Sequence, residues 1–92
     1  MQPERGSESD LLRRWGQDFG ANIQRAREAK QLTRKELAER VGLNAATIAN
    51  YERGLSSLAM PINPTLTTFV ALCQALDVKP PDLLPSYPLP LD

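Results

Sequence analysis

Ninety-two residues with 41% apolar content suffice for one compact domain and are too few for a separate catalytic or ligand-binding one beside it, so one domain is expected. Eleven Lys and Arg balance eleven Asp and Glu, and no histidine is present, which removes the usual general base, the Ser-His-Asp arrangement and the commonest zinc ligand together. The acidic residues are scattered and no glycine-rich phosphate loop occurs, so neither an enzyme nor a metal or nucleotide cofactor is expected.

Met1 to Gly6 shows no periodicity, and residues 1–8 are expected to be a disordered start. A helix is expected from Ser7 or Ser9, either of which can cap it. Leu12, Trp15, Phe19, Ile23 and Ala26 recur at three- and four-residue steps and give one apolar stripe. Gly16 and Gly20 each cost that helix about 1 kcal/mol relative to Ala, so a break near Gly16 is expected. Trp15 either covers the domain's own core or serves a partner subunit, core being the first choice.

The stretch Leu32 to Gly54 reads as two short helices joined by a tight turn. Thr33 caps the first, and Glu36 three positions on completes the reciprocal arrangement that satisfies two free backbone N–H groups. Leu37, Ala38 and Val41 share a face, while Arg34, Lys35, Glu39 and Arg40 point elsewhere. Gly42 stops this helix, Asn44 caps the next, and Ile48 and Tyr51 give the second helix its apolar positions before Gly54 stops it. Two helices with only a glycine-containing turn between them must cross steeply, which is helix-turn-helix geometry.

Residues 55–63 are apolar for a loop, with Leu55, Leu58, Met60 and Ile62, and either fold back on the core or form a contact surface. Asn63 and Pro64 read as cap and first turn of a further helix whose buried face is Leu66, Phe69, Val70, Cys73 and Leu76, with Asp77 ending the pattern. Cys73 is read as core filler, having no second cysteine to pair with. Lys79-Pro80-Pro81-Asp82 opens a last short helix whose Leu83 and Leu84 close the core. Residues 9–84 therefore form the domain. Residues 85–92, with three prolines in eight, form an extended tail that either drapes Tyr87, Leu89 and Leu91 over a neighbour or is a plain disordered end. No stretch is long and apolar enough to span a membrane and no secretory signal opens the chain, so a soluble, cytoplasmic protein is expected.

With LTRKELAERVGL, then TIANYERG, and later LCQALDVKPPDLL, the chain resembles the Cro and repressor-type (XRE) helix-turn-helix family from about Gly16 to Leu84. The resemblance implies an all-α fold, a compact five-helix Cro/repressor-like (lambda repressor-like) DNA-binding domain. It also implies sequence-specific binding to double-stranded DNA as a transcriptional regulator, in the manner of a repressor. Such regulators gain affinity by binding two half-sites, so a homodimer is expected. In the family an arginine of the first helix forms a largely buried ion pair with a glutamate just after the recognition helix, and the matching residues are Arg27 and Glu52.

With the N-terminal end of the second motif helix in the major groove, Asn44, Ala45, Ala46, Thr47 and Asn50 face the DNA. The family carries base-reading side chains at the positions of Ala45, Ala46 and Asn50. Asn50 can pair with adenine through two hydrogen bonds, whereas the two alanines offer only contact with a thymine methyl or a closer approach. Arg34 stands where the family often has glutamine, and is assigned to a phosphate first and a guanine contact second. Lys35, Thr47 and Arg53 are expected on the DNA backbone, positioning the protein without reading sequence.

Zero net charge is at odds with phosphate binding until its distribution is considered. Residues 13–53 hold nine basic residues against five acidic, and the flanks carry the compensating negative charge. The alternative is a protein-interaction module of the same fold, an antitoxin, co-regulator or assembly partner with weak or no DNA binding; the neutral charge and the two alanines motivate it.

Overall fold

The longest element, α1 (Pro3–Ala29), is one unbroken helix that spans the molecule and carries the other elements along its C-terminal half. The computed structural model describes the backbone of residues 3–56, 60 and 62–87, with side chains from Asp10 onward. Four further helices complete the described residues: α2 (Arg34–Val41), α3 (Ala45–Arg53), α4 (Leu66–Leu76) and the single turn α5 (Pro80–Leu83).

The start of α1 corrects the expectation drawn from Ser7 and Ser9: the backbone is already helical at Pro3, within the segment expected to lack order. A proline in the first turn loses no intrahelical hydrogen bond there, since the first N–H groups of a helix have no partner anyway. The expected break at Gly16 is also absent. The two glycines serve a different purpose. A Cβ on Gly20 would stand 2.1 Å from the Tyr51 carbonyl oxygen and 2.7 Å from that of Glu52, so α1 and α3 meet backbone to backbone at this residue. Gly54, which ends α3, presses on the same face of α1 one turn earlier, where a Cβ would lie 2.5 Å from Gln17 Cα.

At its C-terminal end α1 closes through Gln31, whose φ of 58° places it in the left-handed region, while the Leu32 N–H reaches back to the Arg27 carbonyl at 3.1 Å. That six-to-one closure tucks Leu32 under the domain. The caps of α2 form as the residue types dictate. Thr33 Oγ1 accepts from the Glu36 N–H at 3.0 Å, and the Glu36 carboxylate accepts from the Thr33 N–H at 2.7 Å. Gly42, at φ 75°, ends α2, and Asn44 Oδ1 accepts from the Thr47 N–H at 2.8 Å to begin α3.

The core lies where all five helices converge. Ile23, Leu37, Ile48, Leu72, Leu76 and Leu83 are fully enclosed, with Phe19, Ala38 and Cys73 filling between them. Each fully buried aliphatic side chain contributes about 1.5–3 kcal/mol by leaving water. Trp15 packs on the edge of this core, stacked on Phe19 with ring centroids 6.0 Å apart. Cys73 is buried and unpaired, and its desolvation pushes the thiol above its ordinary range, with Asp82 adding to the effect.

Three further expectations are corrected in the C-terminal half. The cap of α4 is Thr65, whose side chain accepts from the Thr68 N–H, so the helix begins two residues after Pro64 and not at it. Its buried face turns accordingly: Leu72 is enclosed, while Leu66 and Val70 stand 77% and 44% exposed. Leu84 is also partly in solvent, leaving Leu83 to close the core alone from that end. Along the loop, Ile62 packs against the core and its N–H meets the Gly54 carbonyl at 3.3 Å, while Met60 faces outward. The fold-back reading thus holds for Ile62, while Met60 is simply exposed and Leu58 lies outside the described residues. From the tail, Tyr87 returns to its own α1, where its hydroxyl donates to Asp18 and its ring lies under the Arg14 guanidinium. Leu89 and Leu91 lie outside the described residues.

Candidate nucleic-acid interface

The turn between α2 and α3 has no room for slack. Gly42 donates its N–H to the Ala38 carbonyl, and Leu43 donates to the same oxygen at 2.9 Å, so the chain reverses within Gly42, Leu43 and Asn44. Ile48 and Glu52 then face inward on α3, with Tyr51 packed against the core edge. The opposite side of α3 is left to solvent.

On that side Asn44, Ala45 and Ala46 are exposed, Thr47 and Asn50 are half-buried, and Arg53 is exposed at the far end. Several of these groups already hold partners. Asn44 Oδ1 accepts from both the Thr47 N–H and its hydroxyl, at 2.8 and 3.0 Å, which leaves the Asn44 amide N–H₂ for an outside acceptor. Asn50 Oδ1 accepts from Arg53 Nη2. A two-bond contact with adenine uses that oxygen together with the amide N–H₂, and the oxygen keeps a second lone pair for it beside Arg53. Ala45 and Ala46 present methyl groups only, and Lys35 projects into solvent from the first turn of α2.

Behind this surface stands a buried charge cluster. Glu52, with a side chain 1% exposed, receives Arg27 Nε at 2.6 Å and Nη2 at 3.3 Å, a forked pair across α1 and α3. Arg27 Nη1 donates to the Leu32 carbonyl at 2.7 Å, so the same guanidinium also holds the α1–α2 turn. Such a pair adds little net stability because desolvation offsets the attraction, but removing one partner costs about 3–5 kcal/mol. Arg34 is placed where a phosphate assignment alone does not account for it: its Nε donates to Glu52 Oε1 at 2.9 Å. No spacing rule links residues 34 and 52. The contact exists because the steep α2–α3 crossing brings the start of one helix to the end of the other.

Among the described residues no group of three or more potential metal ligands occurs, and no helix is long and apolar enough to cross a membrane. A shallow groove of about 390 Å³ runs between α1 and the chain leading into α4, lined chiefly by Leu12, Trp15, Phe19, Ile62, Leu66 and Leu84. It carries no acid–base pair. The Trp15 indole N–H beside it is buried without a partner among the described residues.

Comparison with known proteins agrees with this arrangement. The family model described as helix-turn-helix matches residues 23–83, from the last two turns of α1 to the end of α5. Over 53 residues the chain is 38% identical to Antitoxin HipB of Escherichia coli (strain K12), covering 58% of this chain and 53% of that protein. The chain thus spans about half the length of this curated relative. Among solved structures, the restriction-modification controller protein C.AhdI from Aeromonas hydrophila superposes with a TM-score of 0.62 at 31% identity, covering 82% of this chain and 97% of that one. Family match, five-helix order and the α2–turn–α3 geometry agree: the chain belongs to the helix-turn-helix family, in its Cro/repressor-type (XRE) branch.

Proposed function

We propose that the chain binds double-stranded DNA with sequence preference and regulates transcription in the cytoplasm as a homodimer. The observation that carries this reading is the outer side of α3. It presents Asn44, Ala45, Ala46, Thr47 and Asn50 on a helix clamped from behind by Ile48 and the Arg27–Glu52 pair. Inserted in a major groove, that side meets base edges, while Arg34, Lys35 and Arg53 reach the phosphates on either flank. Two alanines shorten the reach of α3, so the backbone can sit deep in the groove. A larger share of the discrimination then falls to Asn50 and to DNA shape. The similarity to a restriction-modification controller protein supports a regulatory role.

The similarity to an antitoxin favours a second reading, in which the same fold serves chiefly to hold a partner protein. The experiment that separates them is selection from a random-sequence duplex pool at two salt concentrations, followed by sequencing of the bound fraction. Enrichment of a palindrome supports the regulator and gives the half-site spacing. Absence of both enrichment and salt-sensitive binding refutes it and leaves the interaction module.

A further inference from the structure

The buried Glu52 has one carboxylate, yet two guanidinium groups converge on it. Oε2 takes Arg27 Nε at 2.6 Å, and Oε1 is shared between Arg27 Nη2 at 3.3 Å and Arg34 Nε at 2.9 Å. One negative charge cannot neutralise both cations. Arg27 is the enclosed one, with a side chain 11% exposed, all three of its nitrogens engaged, and the exposed Glu28 a further 3.8 Å from Nη2. Arg34 is the open one. Its side chain is 48% exposed and engaged through Nε alone, with no partner for its two terminal nitrogens among the described residues.

A guanidinium is a rigid plane whose Nε edge and terminal edge point in different directions. An anion fixed on the Nε edge therefore aims the terminal edge, and here that edge is the solvent-facing one. We propose that Glu52 is a positioning residue for DNA binding: it holds Arg34 by Nε so that the terminal nitrogens are presented to a backbone phosphate. This rests on the DNA-binding reading above and adds to it. The same carboxylate sets the α1–α3 angle and orients an interface arginine, and an arginine oriented in advance gives up less rotamer freedom when it binds. Lysine cannot replace it. An ammonium has a single nitrogen, which would have to serve both anions from one point.

The test compares wild type, Arg34→Lys, Arg34→Ala, Glu52→Gln and the double variant Glu52→Gln/Arg34→Ala, each binding a fixed duplex over a series of salt concentrations. Circular dichroism checks the fold of each. Arg34→Lys and Arg34→Ala should both lose about tenfold in affinity and lower the salt slope by about one, although Lys keeps the charge. Glu52→Gln should weaken binding with Arg34 present and leave it nearly unchanged when Arg34 is already Ala. Wild-type affinity and slope in Arg34→Lys overturn the proposal, as does an equal loss from Glu52→Gln in both backgrounds, which marks a purely structural role. Should Glu52→Gln fail to fold, Arg34→Lys decides alone. If the wild type shows no salt-sensitive duplex binding, the DNA reading falls and this proposal with it, whereas wild-type binding matched by Arg34→Lys removes only the positioning role.

Discussion

Replacing Gly20 with alanine tests the close crossing of α1 and α3. In an ordinary helix interior the change stabilises by about 1 kcal/mol through helix propensity. Here the new Cβ would lie 2.1 Å from the Tyr51 oxygen and 2.7 Å from the Glu52 oxygen, against ordinary contact beginning near 3.4 Å. Both obstacles are backbone, so no rotamer change relieves them, and α1 must withdraw from α3 by about 1 Å, loosening dispersion contacts along the crossing. Overpacking of this kind costs about 3 kcal/mol at the upper end of its usual range, leaving a net loss of about 2 kcal/mol after the propensity gain. For a domain this small that lowers Tm by roughly 8–16 °C, read by thermal unfolding followed with circular dichroism. Gly16→Ala is the control. Its Cβ would meet the Gly54 oxygen at 3.4 Å and Ile62 Cγ1 at 3.9 Å, both ordinary contacts, so the propensity gain should raise Tm by a few degrees. A Gly20→Ala protein as stable as the wild type would refute the backbone-contact account.

Other outcomes can be checked with simple variants. Asn50→Ala should cost about 1–3 kcal/mol on the selected operator and relax preference at one base pair; a base-substitution series with unchanged preference removes Asn50 from the reading face. Thr33→Ala should lower stability by about 1 kcal/mol in urea titration through loss of the α2 cap. The Glu36 carboxyl is held below the ordinary glutamate range, first by the Thr33 backbone N–H and then by the Thr33 side chain. Its bonds therefore stabilise the fold at neutral pH and lose that contribution as pH falls through the lowered value, so the acid end of the stability profile should flatten in Glu36→Gln. Cys73, buried with its thiol pushed up, should react with an aromatic disulfide reagent only at the rate of unfolding, and prompt reaction in native buffer would contradict its place in the core.

The α2–turn–α3 unit is legible in the sequence almost atom by atom, because each of its signals is local. Thr33 with Glu36, Gly42, Asn44 and Gly54 act within one turn of themselves, and residue type alone decides them. What escapes sequence reading is decided by approach across the fold. Gly20 reads as a weakness in a helix until Tyr51 arrives over it. Arg34 reads as a phosphate contact alone until the steep crossing delivers Glu52. On α4 the apolar residues Leu66, Phe69, Val70, Leu72, Cys73 and Leu76 support more than one stripe, and only the position of the neighbouring helices selects the one with Leu72 inside and Leu66 and Val70 out. The candidate reading positions needed the family resemblance as well, since an exposed Asn50 on a helix has no signature of its own.

The bare-backbone contact between α1 and α3 also bears on how such a protein changes its target over generations. Because that crossing is fixed by carbonyl oxygens against a glycine, and Ala45 and Ala46 are exposed on α3 while Ile48, Tyr51 and Glu52 face the rest of the fold, the side chains at 45 and 46 are uncoupled from what keeps the domain folded. New side chains at those two positions can be tried without retuning the scaffold. On the DNA-binding reading proposed above, a lineage built on this frame can move between target sequences in single steps, each intermediate staying folded, with Ala45 and Ala46 the two sites that have room to grow.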